Sequence, residues 1–233
     1  RSVGKTTPRG LVSRDHGTAA MRATEWMTAA GVFASEKKPA GSHHIVPLVR
    51  APNGAPVIGF AGWSGSGKTT LVTQVVAALT AKGWNIAVVK HAHHMSDIDH
   101  PGKDSWRHRH AGARQVVVAS PRRWAVIHEN QAGEPMLSEL LAALQPCDLV
   151  LVEGYKRAAI PKVEVWRGET FGPPLWSEDA WVFAVATTPD LRAKLSCNRL
   201  MLPLENPDAI AMAVIDLVSG GTIGVKTEAI FTR

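Results

Sequence analysis

The chain is poor in cysteine and tyrosine, with only Cys147, Cys197 and the single Tyr155 in 233 residues. Two cysteines build neither a disulfide framework nor a cysteine zinc centre, which suits a reducing compartment such as the cytoplasm. No apolar run approaches the roughly 20 residues that a membrane-spanning helix needs, so a membrane span is excluded. The basic start from Arg1 to Lys5 is followed by no apolar segment of the kind that directs secretion.

Charge of one sign is also scarce in most of the chain. The formal net charge is +6, yet residues 1–56 hold eight Lys/Arg against three Asp/Glu, while residues 57–233 hold eighteen against seventeen. A nucleic-acid footprint belongs on the folded body, and that body is close to neutral, so no nucleic-acid partner is expected.

Residues 1–55 lack sustained periodicity and are rich in Gly, Pro, Ser and basic residues. They read as a disordered basic N-terminal extension, with one short helical stretch at Ala19 to Ala34. Gly4-Lys5-Thr6-Thr7 imitates part of a phosphate loop but has no strand before it and no helix after it. Met21 offers an internal start. From residue 56 to 219, short apolar runs alternate with helical stretches, the pattern of a mainly parallel sheet flanked by helices, and residues 220–233 read as a C-terminal tail.

Strands are expected at Val57–Ala61, Ile86–Lys90, Gln115–Ala119, Trp124–His128, Leu149–Val152, Lys162–Trp166 and Trp181–Ala186. Helices are expected at Lys68–Lys82, Ser105–Ala111, Met136–Leu144 and Pro207–Val218. Ser120-Pro121-Arg122-Arg123 joins two of these strands, which predicts an antiparallel hairpin.

Gly62-Trp63-Ser64-Gly65-Ser66-Gly67-Lys68-Thr69 satisfies the phosphate-loop pattern G-x-x-x-x-G-K-[ST], with a strand before it and an apolar helix after it. Glycines let the backbone wrap an anion, Lys68 supplies a point charge, and the Thr69 hydroxyl can ligate magnesium. Thr70 completes the segment. An acid is also needed at the end of a neighbouring strand, and Glu153 follows Leu149-Val150-Leu151-Val152 at the carboxyl end, where ligands of open α/β sheets bind. Lys68 and Glu153 are therefore the catalytic candidates.

The stretch from Lys90 to Ser105 opens at the same edge. Asp97, Asp99 and Asp104 are candidates for direct or water-mediated contact with magnesium, which keeps several waters. Six histidines between His91 and His110 invite a transition-metal reading, but their spacing in an irregular loop gives no reason for convergence. Arg107, His108, Arg109 and His110 could rim an anionic substrate.

Gly-Phe-Ala-Gly-Trp-Ser-Gly-Ser-Gly-Lys-Thr-Thr, Lys-His-Ala-His-His, Asp-Ile-Asp-His-Pro-Gly-Lys-Asp-Ser and Leu-Val-Leu-Val-Glu-Gly-Tyr-Lys together resemble the MobB family, the molybdopterin-guanine dinucleotide biosynthesis adaptor proteins. The resemblance covers roughly residues 57–218. It implies a P-loop NTPase fold, GTP binding with Mg2+, weak GTPase activity, a homodimer, and assistance to the nucleotidyltransferase MobA, which joins GMP to molybdopterin. Molybdopterin or the molybdenum cofactor itself is a further candidate partner. By matching position, Ser64 to Thr70 would hold phosphates, Thr69 and Glu153 would lie at the metal, and Asp99 to Ser105 would line the adjoining loop. His100 stands where the family more often has a basic residue. Thr187-Thr188-Pro189-Asp190 lies at the expected base-binding edge without the N/T-K-x-D signature of many GTPases, so guanine preference rests on the resemblance. A phosphate loop alone names no function. The alternatives are a small-molecule kinase using Arg107, Arg109, Arg122 or Arg123, and a metal-insertion GTPase chaperone using His93 and His94.

Overall fold

The computed structural model describes residues 46–92 and 99–220. Strand β1 is Val49–Arg50, β2 Pro56–Ala61, β3 Ile86–Lys90, β4 Gln115–Ala119, β5 Trp124–His128, β6 Leu149–Glu153, β7 Lys162–Val165, β8 Val182–Thr187 and β9 Leu200–Pro203. Helix α1 is Lys68–Ala81, α2 Asp104–His110, α3 Leu137–Ala142, α4 Pro189–Lys194 and α5 Pro207–Gly220. Six strands run parallel in the order β3-β6-β2-β7-β8-β9, and β1 adds antiparallel to the start of β2. The mainly parallel, helix-flanked sheet expected from sequence is present.

The central strands are buried from end to end: every residue of β2, β6 and β8 is buried. Continuous apolar runs are what a parallel sheet covered on both faces requires. On one face, α1 presents Leu71, Val72, Val75 and Leu79, and α5 presents Ile210, Ala211, Val214 and Leu217, to Ile58, Phe60, Leu149, Leu151 and Val163. On the other, α3 packs Leu137, Leu140 and Leu141 with Val57, Val150 and Val152. Each such side chain contributes about 1.5–3 kcal/mol when fully buried.

The folded body begins earlier than residue 56. Val46 joins the α1–α5 face, and Ala51 and Ala55 join the α3 face. The turn between them is closed by Ala51 N–H to Ala55 O (2.8 Å), and Asn53 donates to Gln145 O (3.0 Å). The part of the predicted extension from 46 to 55 is thus sheet edge and core; residues 1–45 and 221–233 lie outside the described residues. Five elements escaped the periodicity reading: β1, α4, β9 and the two short helical turns at Glu169–Phe171 and Leu175–Ser177.

β4 and β5 pair antiparallel from Gln115↔His128 to Ala119↔Trp124 and form a separate two-stranded sheet, as the Ser120–Arg123 turn predicts. Alternation puts Val117, Ala119, Trp124 and Val126 on one face of this arm, all exposed, while Ile127 points inward.

Strand β7 carries two charges in the middle of the sheet. Lys162 and Glu164 share a face and are fully buried. The Lys162 stem crosses its register partner Gly59, reaching Asp179 Oδ2 (2.5 Å) and the carbonyls of Ala158 (2.7 Å) and Lys156 (3.0 Å). A methyl group at Gly59 would stand 2.6 Å from Lys162 Cγ, so glycine is required there by packing. Glu164 accepts from Leu175 N–H (2.8 Å) and Trp176 N–H (2.9 Å), tying the loop that follows β7 to the sheet. Burial pushes its carboxyl up to about 7, against the opposing pull of those two N–H groups.

Two outcomes follow. Gly59→Val should destabilise the fold by about 2–4 kcal/mol in denaturant unfolding, through overpacking against Lys162; an unchanged midpoint would contradict this packing. For Glu164 the folded value lies above the ordinary one, so its contribution to stability is full below about pH 4.5 and is lost as pH rises through about 7. Melting temperature measured from pH 4.5 to 8 should therefore fall more steeply in the wild type than in Glu164→Gln.

Candidate functional site

The carboxyl ends of β2, β6 and β3 lie side by side, and the cleft above them has a volume of about 810 Å³. Its floor is the loop from Gly62 to Thr70. Gly62 leaves β2 so close to β7 that a Cβ would stand 2.5 Å from Val165 O. Gly67, with φ +88, is the left-handed cap of α1, a conformation that side chains resist. Ser66 N–H donates to Trp63 O (3.2 Å) and Leu71 N–H to Gly67 O (3.1 Å), so the loop curls directly into the helix. α1 has no side-chain cap and no acid in its first turn, which leaves its positive end to an incoming anion.

Lys68 folds back over the loop and donates to Trp63 O (2.7 Å). Burial lowers the pKa of its ammonium; Glu153 opposes the shift and the neighbouring Lys156 and Lys90 add to it. Positive charge here exceeds what the protein neutralises, the condition under which an anionic ligand binds well.

Glu153 closes β6 opposite Thr69, and the Thr69 hydroxyl donates to its carboxylate. The Lys90 ammonium lies 3.3 Å from Thr69 Oγ1 and 3.5 Å from Glu153 Oε1. Two hard oxygen donors converge here with a cation already upon them. This donor set fits magnesium, which takes one or two protein oxygens and completes its shell with phosphate and water.

The lip of the cleft is aromatic and basic. Lys156 Nζ sits 3.9 Å above the Trp63 ring, and Trp63 Nε1–H donates to Pro173 O (2.7 Å). Gly172 lies flat on the same indole, Arg167 Nε–H donates to Ser66 O (2.9 Å), and Trp166 Nε1–H donates to Gly172 O (3.1 Å). The segment after β7 is therefore a strap fastened at one end to the phosphate loop and at the other to Glu164. On the opposite side, His91 stacks on Tyr155 (4.6 Å) and pairs with Glu134. Tyr155 holds a positive φ of 43, uncommon for a bulky residue and costly enough to mark a site.

Gly62, Ser64, Gly65, Gly67, Lys68, Thr69, Thr70 and Glu153 all line the cleft; Ser66 is buried beneath it with no partner for its hydroxyl. Asp99 and Asp104 are not among the lining residues. Asp99 accepts from Ser105 Oγ (2.8 Å), His100 N–H (2.9 Å) and Arg109 Nε–H (3.1 Å). Burial would raise its pKa, but these bonds outweigh it and hold the carboxyl below its ordinary value. Arg109 also reaches Glu129 (2.6 Å), so Arg109 ties both α2 and the Asp99 loop to the end of the β4–β5 arm. Asp104 is exposed, 4.0 Å from Arg107. Asp97, His93 and His94 lie outside the described residues. Sequence reasoning put Lys90 and His91 at this edge, His91 only as one of six histidines, and passed over Lys156 and the strap. The signal for Lys90 was its place at the end of the strand beside Glu153; the strap, without periodicity, carried none beyond Gly168 and Gly172.

The profile of the family described as MobB, molybdopterin guanine dinucleotide synthesis protein B, matches residues 57–188. The molybdopterin-guanine dinucleotide biosynthesis adapter protein of Haemophilus influenzae is 42% identical over 162 residues, covering 67% of this chain and 89% of that one. Its Escherichia coli counterpart is 38% identical over 165 residues, covering 69% and 92%. The crystal structure of a MobB protein homolog from Bacillus stearothermophilus superposes with a TM-score of 0.51 at 26% identity, covering 70% of this chain and 98% of that one. Bacillus subtilis MobB reaches 0.54 at 24% identity, covering 72% and 99%, which speaks for the fold alone. With the profile spanning more than half of its length and close relatives agreeing, the chain belongs to the MobB family.

Proposed function

We propose that this chain is a GTP-binding adaptor of molybdopterin guanine dinucleotide biosynthesis, holding GTP and magnesium in the cleft and assisting a MobA-type nucleotidyltransferase in the cytoplasm. The observation that carries this reading is a complete phosphate loop facing Glu153 across Thr69, in a member of the MobB family. Backbone N–H groups of Ser64 to Thr70 and the start of α1 would receive the phosphates, and Lys68 would exchange the Trp63 carbonyl for a phosphate oxygen. Thr69 and Glu153 would hold magnesium, which when bound neutralises phosphate charge and polarises the phosphoryl oxygens.

Among the described residues, those lining the cleft include neither glutamine nor arginine, and Arg167 at its lip is turned to the Ser66 carbonyl. A water-orienting glutamine and an arginine finger are what make such sites fast. Slow hydrolysis fits an adaptor better than a kinase, whose candidate arginines Arg107, Arg109, Arg122 and Arg123 do not line the cleft. The homodimer has a fitting surface in the β4–β5 arm, where Val117 (62% exposed) and Trp124 (60%) share an uncovered apolar face. An isolated hairpin is marginal in water, so an arm of this kind gains from a second copy against it. Molybdopterin or the molybdenum cofactor, brought by the partner, is the chemistry the adaptor would serve.

Titration calorimetry with non-hydrolysable GTP and ATP analogues should show tighter binding of the GTP analogue with magnesium. Lys68→Ala should weaken it about a hundredfold or more; unchanged affinity would remove the proposal. Glu153→Gln should keep nucleotide binding and lower magnesium-dependent hydrolysis at least about tenfold. For assembly, Val117→Lys combined with Trp124→Glu should turn a dimer into a monomer by light scattering, without loss of nucleotide affinity.

A further inference from the structure

Lys90 ends β3 directly beside Glu153, its register partner on β6. Its side chain is half exposed, reaches into the cleft, and touches both oxygens of the Thr69–Glu153 pair. Of the three lysines that line the cleft, Lys68 is held by Trp63 O and Lys156 lies over the Trp63 ring. Lys90 is the one seated on the pair.

A threonine hydroxyl offers one proton and two lone pairs. In Thr69 the proton goes to Glu153, and Lys90 donates to the oxygen from the cleft side. A magnesium ion bonded to that oxygen at roughly 2.0–2.1 Å cannot share the pair with an ammonium in contact with both members. An empty pair, conversely, would turn the bare Glu153 carboxylate toward the phosphates of a nucleotide arriving without metal. The charge that resolves both situations has to be removable, and a compact ammonium on a flexible four-carbon stem is suited to that.

We propose that Lys90 is an exchangeable counter-cation of the Thr69–Glu153 pair: it neutralises Glu153 while no divalent ion is present, and it swings off the pair toward solvent when magnesium takes it. This rests on the nucleotide and magnesium reading given above. Its consequence is that Lys90 sets how strongly magnesium and nucleotide promote each other's binding, a coupling that is reciprocal between the two ligands.

The test is calorimetric titration of the full chain with a non-hydrolysable GTP analogue, with magnesium and with EDTA, in wild type, Lys90→Met, Lys90→Gln and Lys90→Arg. Melting temperatures check folding; a strand-end side chain half exposed to solvent should leave them within a few degrees of wild type. In both neutral variants metal-free affinity should fall about tenfold, whereas affinity with magnesium changes less than about threefold, so the coupling factor rises about tenfold. Lys90→Arg, which keeps the charge, should stay near the wild-type factor. An equal loss with and without magnesium would make Lys90 a uniform phosphate contact and overturn the proposal, as would no change in either condition. A wild-type chain that binds the analogue in neither condition would overturn the nucleotide reading and this proposal with it. One that binds, with neutral variants of unaltered coupling, would overturn this proposal alone.

Discussion

The parallel pairing of β6 between β2 and β3 is the constraint on which the site depends. Glu153 is the register partner of Phe60 on one side and of Lys90 on the other. The next residues carry the ladder onward: His91 N–H donates to Glu153 O and Gly154 N–H to Phe60 O. A slip of one residue in a strand moves every side chain to the opposite face. It would bury the carboxylate among apolar neighbours and leave Thr69 without its partner. The apolar runs that lock this register are also the core of the domain, so the geometry of the cleft and the stability of the sheet share one cause.

Against that apolar frame, β7 is anomalous. Lys162 and Glu164 are charged groups in a strand with no solvent on either face, and burying such groups is costly unless each is hydrogen-bonded. Each is. Lys162 reaches Asp179 and two carbonyls, and Glu164 holds two consecutive N–H groups. These bonds organise the segments flanking β7, including the strap that meets the phosphate loop at Trp63, Ser66 and Gly65. The polar interior of β7 serves as the anchor for irregular chain that has no periodic face of its own to bury.

Much of this was legible in the residues. The phosphate loop, the strand before it, the helix after it, and Glu153 at the end of an apolar tetrad all depend on local pattern, and local pattern is what a sequence displays. The hairpin was readable from a four-residue turn between two β-branched runs. What escaped reading depends on distant partners. Val46 and Leu48 are core because a space remains beside α1 and α5, and β9 is a strand because β8 offers it an edge. Asp99 looked like a metal ligand because an acid in a loop near the nucleotide edge reads that way; the Arg109 and Ser105 that claim it act through a fold-dependent meeting of loop, helix and arm. Lys90 carries no local mark of its place in the site, because only the pairing of β3 with β6 sets it beside Glu153.

Trp63 belongs to two pieces of the protein at once. Its backbone is part of the phosphate loop and gives a carbonyl to Lys68, while its indole is hydrogen-bonded to Pro173 and pressed against Gly172. Mechanically it is a pin joint. A ligand that draws Lys68 off the Trp63 carbonyl alters the load on one side of the pin, and the strap on the other side carries Phe171, an aromatic ring exposed at the surface near Gly65. The floor of the cleft and an outward-facing aromatic ring are thus joined through a single indole.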